Sequence, residues 1–289
     1  MFRGSIVAIV TPFKNGEVDY DKLAELVEYH IANGTDGIVP VGTTGESPTL
    51  SHEEHMKTVE FVIKAVRKRI PVIAGAGSNS TREAIDLTKH AKNVGADAVL
   101  SITPYYNKPT QNGLIRHFTS IANAVPIPII MYNVPGRTGV KLNPDTIAKL
   151  SEVKNIVGIK EACGSIEQVC SILSKCDITV LSGDDSLTFP MLAVGGKGII
   201  SVAANIIPKE ISDLVRLFEE GKLEQSRAIH YKYWDLFCDL FIETNPIPVK
   251  TAMDMMGMMK FDVRSPLCSM VESNREKLRA TLTKVGLLK

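Results

Sequence analysis

Lys160 ends the apolar run Ile156, Val157, Gly158, Ile159, and Glu161 stands directly behind it. A lysine in that position has two readings. It either points into water, with its stem packed and its head solvated, or stands at the mouth of a barrel as a nucleophile. A free lysine with a pKa of ~10.4 is neutral in only about one molecule per thousand near pH 7. Burial penalises the charged form, and a neutral amine can attack a carbonyl to make a Schiff base. Groups that would serve such an amine stand at the ends of the other apolar runs. They are Thr43, Thr44 and Glu46 in "VGTTGES", then Tyr105, Tyr106 and Asn107, then Tyr132, Asn133 and Arg137, then Ser182, Gly183, Asp184 and Asp185. Phenols and hydroxyls shuttle protons. The N–H groups of a Gly-Thr-Thr-Gly turn suit one carboxylate, and a guanidinium suits another in bidentate geometry. Together these residues describe an aldolase that forms an imine with a keto acid.

Such residues converge only if the elements beneath them do. Eight short β-branched runs begin at Ser5, Gly37, Pro71, Ala98, Pro128, Ile156, Ile178 and Gly198. Amphipathic stretches lie between them. One starts at Asp19 and stops at Gly34, and others open on the capping-box pairs Ser51/Glu54 and Ser80/Glu83. Strict β and α alternation implies a parallel sheet. Eight alternations imply an α/β chain folded as a (β/α)8 TIM barrel, whose active site lies at the C-terminal ends of the strands. An open doubly wound sheet is the alternative. From about Pro208 onward only helices are expected, which divides the chain into a barrel, 1–224, and a C-terminal helical appendage, 225–289. The segment 222–243 reads as one helix, the break "TNPIPVK" follows it, and the methionines from Met253 to Met259 read as adaptable packing.

The 289 residues carry a net charge of +1 without a basic stripe, which argues against nucleic acid as a partner. No stretch is apolar enough to span a membrane. The opening "MFRGSIVAIVTPF" reads as a strand, not a signal peptide. Cys163, Cys170, Cys176, Cys238 and Cys268 are odd in number and show no C-x-x-C spacing, which points to reduced thiols in the cytoplasm. Cys163 reads as a small buried filler rather than a second nucleophile. "AGAGSNS" lacks the last glycine of a dinucleotide loop, and "HEEH" spaces its histidines three apart instead of four, so neither carries a cofactor. Asp184 and Asp185 read as caps on the following helix.

The motifs "GTTGES", "PYYNKPTQNGL", "YNVPGRTG" and "GIKEA", in that order, resemble the dihydrodipicolinate synthase family of pyruvate-dependent class I aldolases. The likeness runs over essentially the whole chain. It implies condensation of pyruvate with L-aspartate 4-semialdehyde to 4-hydroxy-tetrahydrodipicolinate, the first committed step toward diaminopimelate and lysine. It implies no metal or organic cofactor, because the imine on Lys160 is itself the electron sink. By the same resemblance Tyr132, Thr44 and Tyr106 form a proton relay, with Tyr106 reaching into a partner subunit's site. Thr43 and Thr44 hold the pyruvate carboxylate, Arg137 holds that of the semialdehyde, and Gly183 and Ile200 line the pocket through their backbones. A homotetramer built as a dimer of dimers is implied. So is an L-lysine effector site at Ser47, His52, His55, Asn79, Glu83 and Tyr105. Pro48 departs from the small residue of lysine-sensitive members. Glu83 reads as an acid lacking a cationic partner until an effector arrives. N-acetylneuraminate lyases and 2-keto-3-deoxy sugar-acid aldolases share the lysine. The second threonine of the turn and the arginine of "GRTG" argue against them. A non-catalytic sensing barrel is the reading from another class, and a pyruvate adduct trapped with borohydride would exclude it.

Overall fold

The structure, a computed structural model, describes residues 2–289. The eight strands are β1 (Gly4–Ala8), β2 (Gly37–Val39), β3 (Ile73–Gly75), β4 (Ala98–Ile102), β5 (Ile129–Asn133), β6 (Ile156–Glu161), β7 (Thr179–Ser182) and β8 (Gly198–Ser201). They are parallel and adjacent in the order β2-β1-β8-β7-β6-β5-β4-β3. The Ile38–Val72 bridge joins β2 to β3, with Ile38 N–H donating to Pro71 O at 3.0 Å, and the sheet closes on itself. This is the barrel expected from the alternation, and the open sheet is excluded.

Strands buried on both faces need no alternation of polar and apolar residues, which is why each reads as a continuous apolar run. Their side chains still alternate between two environments. On β5, Ile129 and Met131 pack outward under the helices, while Ile130 and Tyr132 point into the barrel with Ile6, Leu181 and Ile200. On β6, Ile159 packs outward. With a period of two, Lys160 therefore faces inward and Glu161 outward. The β5–β6 register sets Tyr132 beside Lys160 and Asn133 beside Glu161. A slip of one residue would turn the amine out of the barrel.

The barrel helices are α1 (Tyr20–Ala32), α2 (His52–Val66), α3 (Thr81–Asn93), α4 (Gln111–Ala124), α5 (Pro144–Ser151), α6 (Ile166–Leu173), α7 (Thr188–Ala193) and α8 (Pro208–Glu219). Asp19 caps α1, and Ser51 with Glu54 forms the full capping box of α2. At α3 only half of the box forms. Ser80 accepts from Glu83 N–H, but the Glu83 carboxylate turns to Ser78 and His52.

The appendage contains α9 (Leu223–Lys232), α10 (Trp234–Asp239), α11 (Ile247–Met255) and α12 (Glu272–Lys284). Two expectations need correction. The segment 222–243 is not one helix: it breaks at Tyr233 (φ −103°, ψ 9°), and Tyr233, Leu236 and Phe237 all reach the core. The first run ends as a strand at Ala8, and Phe13 belongs instead to a hairpin, Phe13–Lys14 with Glu17–Val18. Barrel and appendage share one hydrophobic cluster. Met253, Met259 and Met270 are buried in it, packed with Val7, Val202 and Ile206. The methionines are thus packing, as their flexibility suits.

Candidate active site

A cavity of about 170 Å³ opens at the C-terminal mouth of the barrel and is lined by Thr43, Thr44, Tyr132, Arg137, Lys160 and Gly183, among others. Lys160 is 4% exposed, so its stem is enclosed and its amine meets the cavity. Its Nζ lies 4.5 Å from the centroid of the Tyr132 ring, over the ring face. Gly183 has a steric reason to be glycine. A Cβ there would come within 2.6 Å of Ala162 Cβ and 3.0 Å of Lys160 Cε, filling the space the lysine occupies.

Behind the lysine, Glu161 is locked on the outer face. Asn133 Nδ2 donates to both its carboxylate oxygens (2.9 and 3.0 Å), and Cys163 N–H donates at 3.0 Å. Burial pushes the Glu161 carboxyl up, against the pull of these donors. The same network fixes the ends of β5 and β6. Cys163 is no rival nucleophile: burial and the Glu161 carboxyl push its thiol up to about 12. Asp184 also lines the cavity, and burial raises its pKa while the Lys160 ammonium opposes the shift. Asp185 does not cap the following helix as expected. It is fully buried and accepts from Ser201 Oγ (2.5 Å), Val202 N–H (3.1 Å) and Ala203 N–H (3.1 Å), tying the exit of β7 to that of β8.

Thr44 is held from a distance in sequence. Asn245, in the appendage, donates from Nδ2 to Thr44 Oγ1 at 3.0 Å, and its backbone carbonyl accepts from Arg137 Nη2 at 3.1 Å. With its oxygen engaged as an acceptor, the Thr44 hydroxyl keeps its proton free to donate. Asn245 lines the cavity, and its only signal in the sequence was the "TNPIPVK" break.

Three expected site residues stand apart. Tyr106 is 90% exposed at φ 69° and does not line its own chain's cavity. Ile200 is fully buried in the barrel interior and is not among the lining residues. Asn79 lines neither cavity, and its carbonyl accepts from Asn107 Nδ2 at 2.9 Å. The other residues expected to form an effector site, Ser47, His52, His55, Glu83 and Tyr105, share a second cavity of about 510 Å³, which runs on to Thr43, Tyr132 and Arg137. Glu83 is not the lone acid expected, since it meets His52 Nε2 at 2.6 Å and accepts from Ser78 Oγ. Burial holds His55 down to about 4, with His52 and His90 adding to the shift, so it is neutral at pH 7.

The model of the Dihydrodipicolinate synthetase family matches residues 1–285. The chain belongs to this family. A relative from Geobacter sulfurreducens, a 4-hydroxy-tetrahydrodipicolinate synthase, is 59% identical over the full length of both chains. The chloride-inhibited dihydrodipicolinate synthase of Acinetobacter baumannii, solved in complex with pyruvate, is 49% identical with a TM-score of 0.97 over 100% of each chain. A family structure from Cyanidioschyzon merolae with lysine bound is 43% identical, with a TM-score of 0.96 over 99% of each chain. Among the described residues of this family member, no helix is long and apolar enough to cross a membrane.

Proposed function

We infer that the chain condenses pyruvate with L-aspartate 4-semialdehyde to 4-hydroxy-tetrahydrodipicolinate, through an imine on Lys160. The observation that carries the assignment of the lysine is its enclosure on the inner face of β6, beside Tyr132 and under the Gly-Thr-Thr-Gly turn. The Lys160 amine attacks C2 of pyruvate, and loss of water leaves an iminium. The iminium draws electrons from the methyl group, which gives up a proton to form an enamine. The enamine carbon attacks the aldehyde. The amino group of the second substrate then displaces Lys160 from C2, closing the ring and releasing the enzyme.

Tyr132, Thr44 and Tyr106 carry protons in this scheme. Tyr106 serves the partner's site, which its exposure and left-handed backbone support. Thr43 and Thr44 take the pyruvate carboxylate. Gly183 acts through its backbone at the pocket wall, and the backbone role assigned to Ile200 would be exerted from the barrel interior beneath the lining residues. Residues 1–224 form the catalytic unit, and residues 225–289 steady it through Asn245. The working assembly is a homotetramer of two such dimers in the cytoplasm. An assay with pyruvate and aspartate semialdehyde, run beside one with N-acetylneuraminate, tests the reading. Turnover of the sugar acid in place of the semialdehyde would sink it.

Arg137 is assigned to the semialdehyde carboxylate. Its replacement, Arg137→Ala, should weaken use of that substrate roughly tenfold or more, since charge-assisted hydrogen bonds are typically worth ~1.5–3 kcal/mol. Imine formation with pyruvate should change little. Equal losses for both substrates would make Arg137 a structural residue.

L-lysine is the proposed effector. It would enter the cavity of Ser47, His52, His55, Glu83 and Tyr105, Asn79 would have to turn toward it to take part, and its ε-ammonium would compete with His52 for Glu83. Tyr105 adjoins Tyr106, so occupancy can bias the relay by a differential contact. Initial rates should fall with millimolar L-lysine, and Glu83→Thr should remove the effect. A flat response in the native chain, or an undiminished one in the variant, would contradict this.

A further inference from the structure

We propose that the buried ion pair of Glu46 and Lys250 is a positioning device for the Gly42–Gly45 turn, setting Thr43 and Thr44 to receive the carboxylate of the 2-keto acid. It rests on the assignment of that carboxylate to the turn. Glu46 follows the turn directly, and its position in the sequence predicts a place on the rim with Thr43 and Thr44. It is instead 2% exposed and lines neither cavity. There it meets Lys250 Nζ, from α11, whose side chain is wholly buried. Its second oxygen accepts from Arg264 N–H at 3.1 Å. Lys250 Nζ also donates to Asp262 O at 2.8 Å and lies 4.3 Å from the Phe13 ring centroid. Each carboxylate oxygen thus has one donor, and the ammonium has two acceptors and a ring face.

A buried pair of this kind is weak evidence for stability, because well-packed neutral residues often serve the fold as well. The backbone suggests what else it does. Glu46 sits at φ 55°, ψ 36°, in the left-handed region, and the β-branched Val41 at the other end of the turn has φ 54°. Such residues are strained and persist only where their surroundings hold them. Between them the turn doubles back tightly. A Cβ on Gly45 would lie 3.0 Å from Val41 N, and Glu46 N–H donates to Thr43 O at 3.1 Å. Glycine would take φ 55° at position 46 without strain, so a glutamate there is held by what its side chain binds. The appendage grips the turn twice, with Asn245 on Thr44 and Lys250 on Glu46. Arg264 carries the grip further, pairing bidentately with Glu54 in the capping box of α2.

The test compares two singles, Glu46→Gln and Lys250→Met, with the double variant that carries both. The readouts are melting temperature, the pyruvate concentration that half-saturates borohydride labelling of Lys160, and KM for each substrate. Lys250→Met leaves a buried carboxylate unpaired and should melt early. The double variant removes both charges in similar shapes and should regain most of the lost melting temperature. It should still need roughly tenfold more pyruvate for labelling, as expected when a binding turn loses its setting, with KM for the semialdehyde little changed. Glu46→Asp keeps the charge and shortens the reach. It should fold and also raise the pyruvate requirement several-fold. Native pyruvate dependence in the double variant or in Glu46→Asp would show that the pair serves only the fold. Equal losses for both substrates would show general loosening and would likewise overturn the proposal. Absence of label at Lys160 in the native chain would remove the underlying assignment and the proposal with it, whereas a labelled native chain leaves the variants to decide.

Discussion

Lys160→Ala should leave a folded barrel that forms no imine with pyruvate and whose turnover falls by about 10⁴-fold or more, the scale seen when a covalent nucleophile is removed. Folding should survive because the lost atoms border an open cavity, so truncation enlarges existing space instead of creating a sealed void. Asp184 and Asp185 would lose the cation that opposes their rise in pKa. Both carboxyls should therefore protonate more readily in the variant, which spares it an unpaired buried charge. Lys160→Arg is the stricter comparison, since it keeps a cation yet cannot form an imine. It should be as inactive as the alanine variant. Substantial turnover by either variant would mean that the chemistry runs elsewhere.

The second large effect concerns Tyr106. Tyr106→Phe should lower turnover by about 10² to 10⁴-fold, the usual worth of a positioned proton carrier. Tyr106 is 90% exposed and absent from its own cavity, so its phenol must act on another copy if it acts at all. Mixing Tyr106→Phe with Lys160→Ala subunits tests this. Each mixed dimer holds one site with a native lysine and a native tyrosine. Random pairing at equal amounts should then restore about a quarter of native activity. Subunit exchange can be followed independently with mass-labelled chains. If exchange occurs and activity stays at the level of the parents, Tyr106 does not act in trans.

Much of this account was legible in the residues, for a physical reason. Strands of a parallel barrel are buried on both faces, so "IVGIKEA" and its seven counterparts stand out as apolar runs whose exits are easy to find. Lys160, Tyr132, Thr43, Thr44 and Arg137 were located by their places at those exits, and the cavity does gather them. What escaped notice depends on contacts between distant segments. Asn245 reaches Thr44 across 201 residues, and Lys250 reaches Glu46 across 204. No local pattern reports either. Glu46 reads as one more polar residue beside flexible glycines, and only its buried contacts with Lys250 and Arg264 N–H set it apart. Asp185 is a similar case. An acid before a helix resembles a cap, yet its carboxylate serves N–H groups beyond the next strand. The break at Tyr233 was hidden because helical periodicity continues on both sides of it.

The central claim is that Lys160 forms the covalent link to pyruvate, and one measurement addresses it directly. The native chain is incubated with pyruvate, reduced with borohydride, digested, and sequenced by mass spectrometry. The account predicts N6-(1-carboxyethyl)lysine at position 160, dependent on pyruvate and lost when reduction precedes the substrate. An adduct at the other fully buried lysine, Lys250, at any surface lysine, or at none, would contradict it.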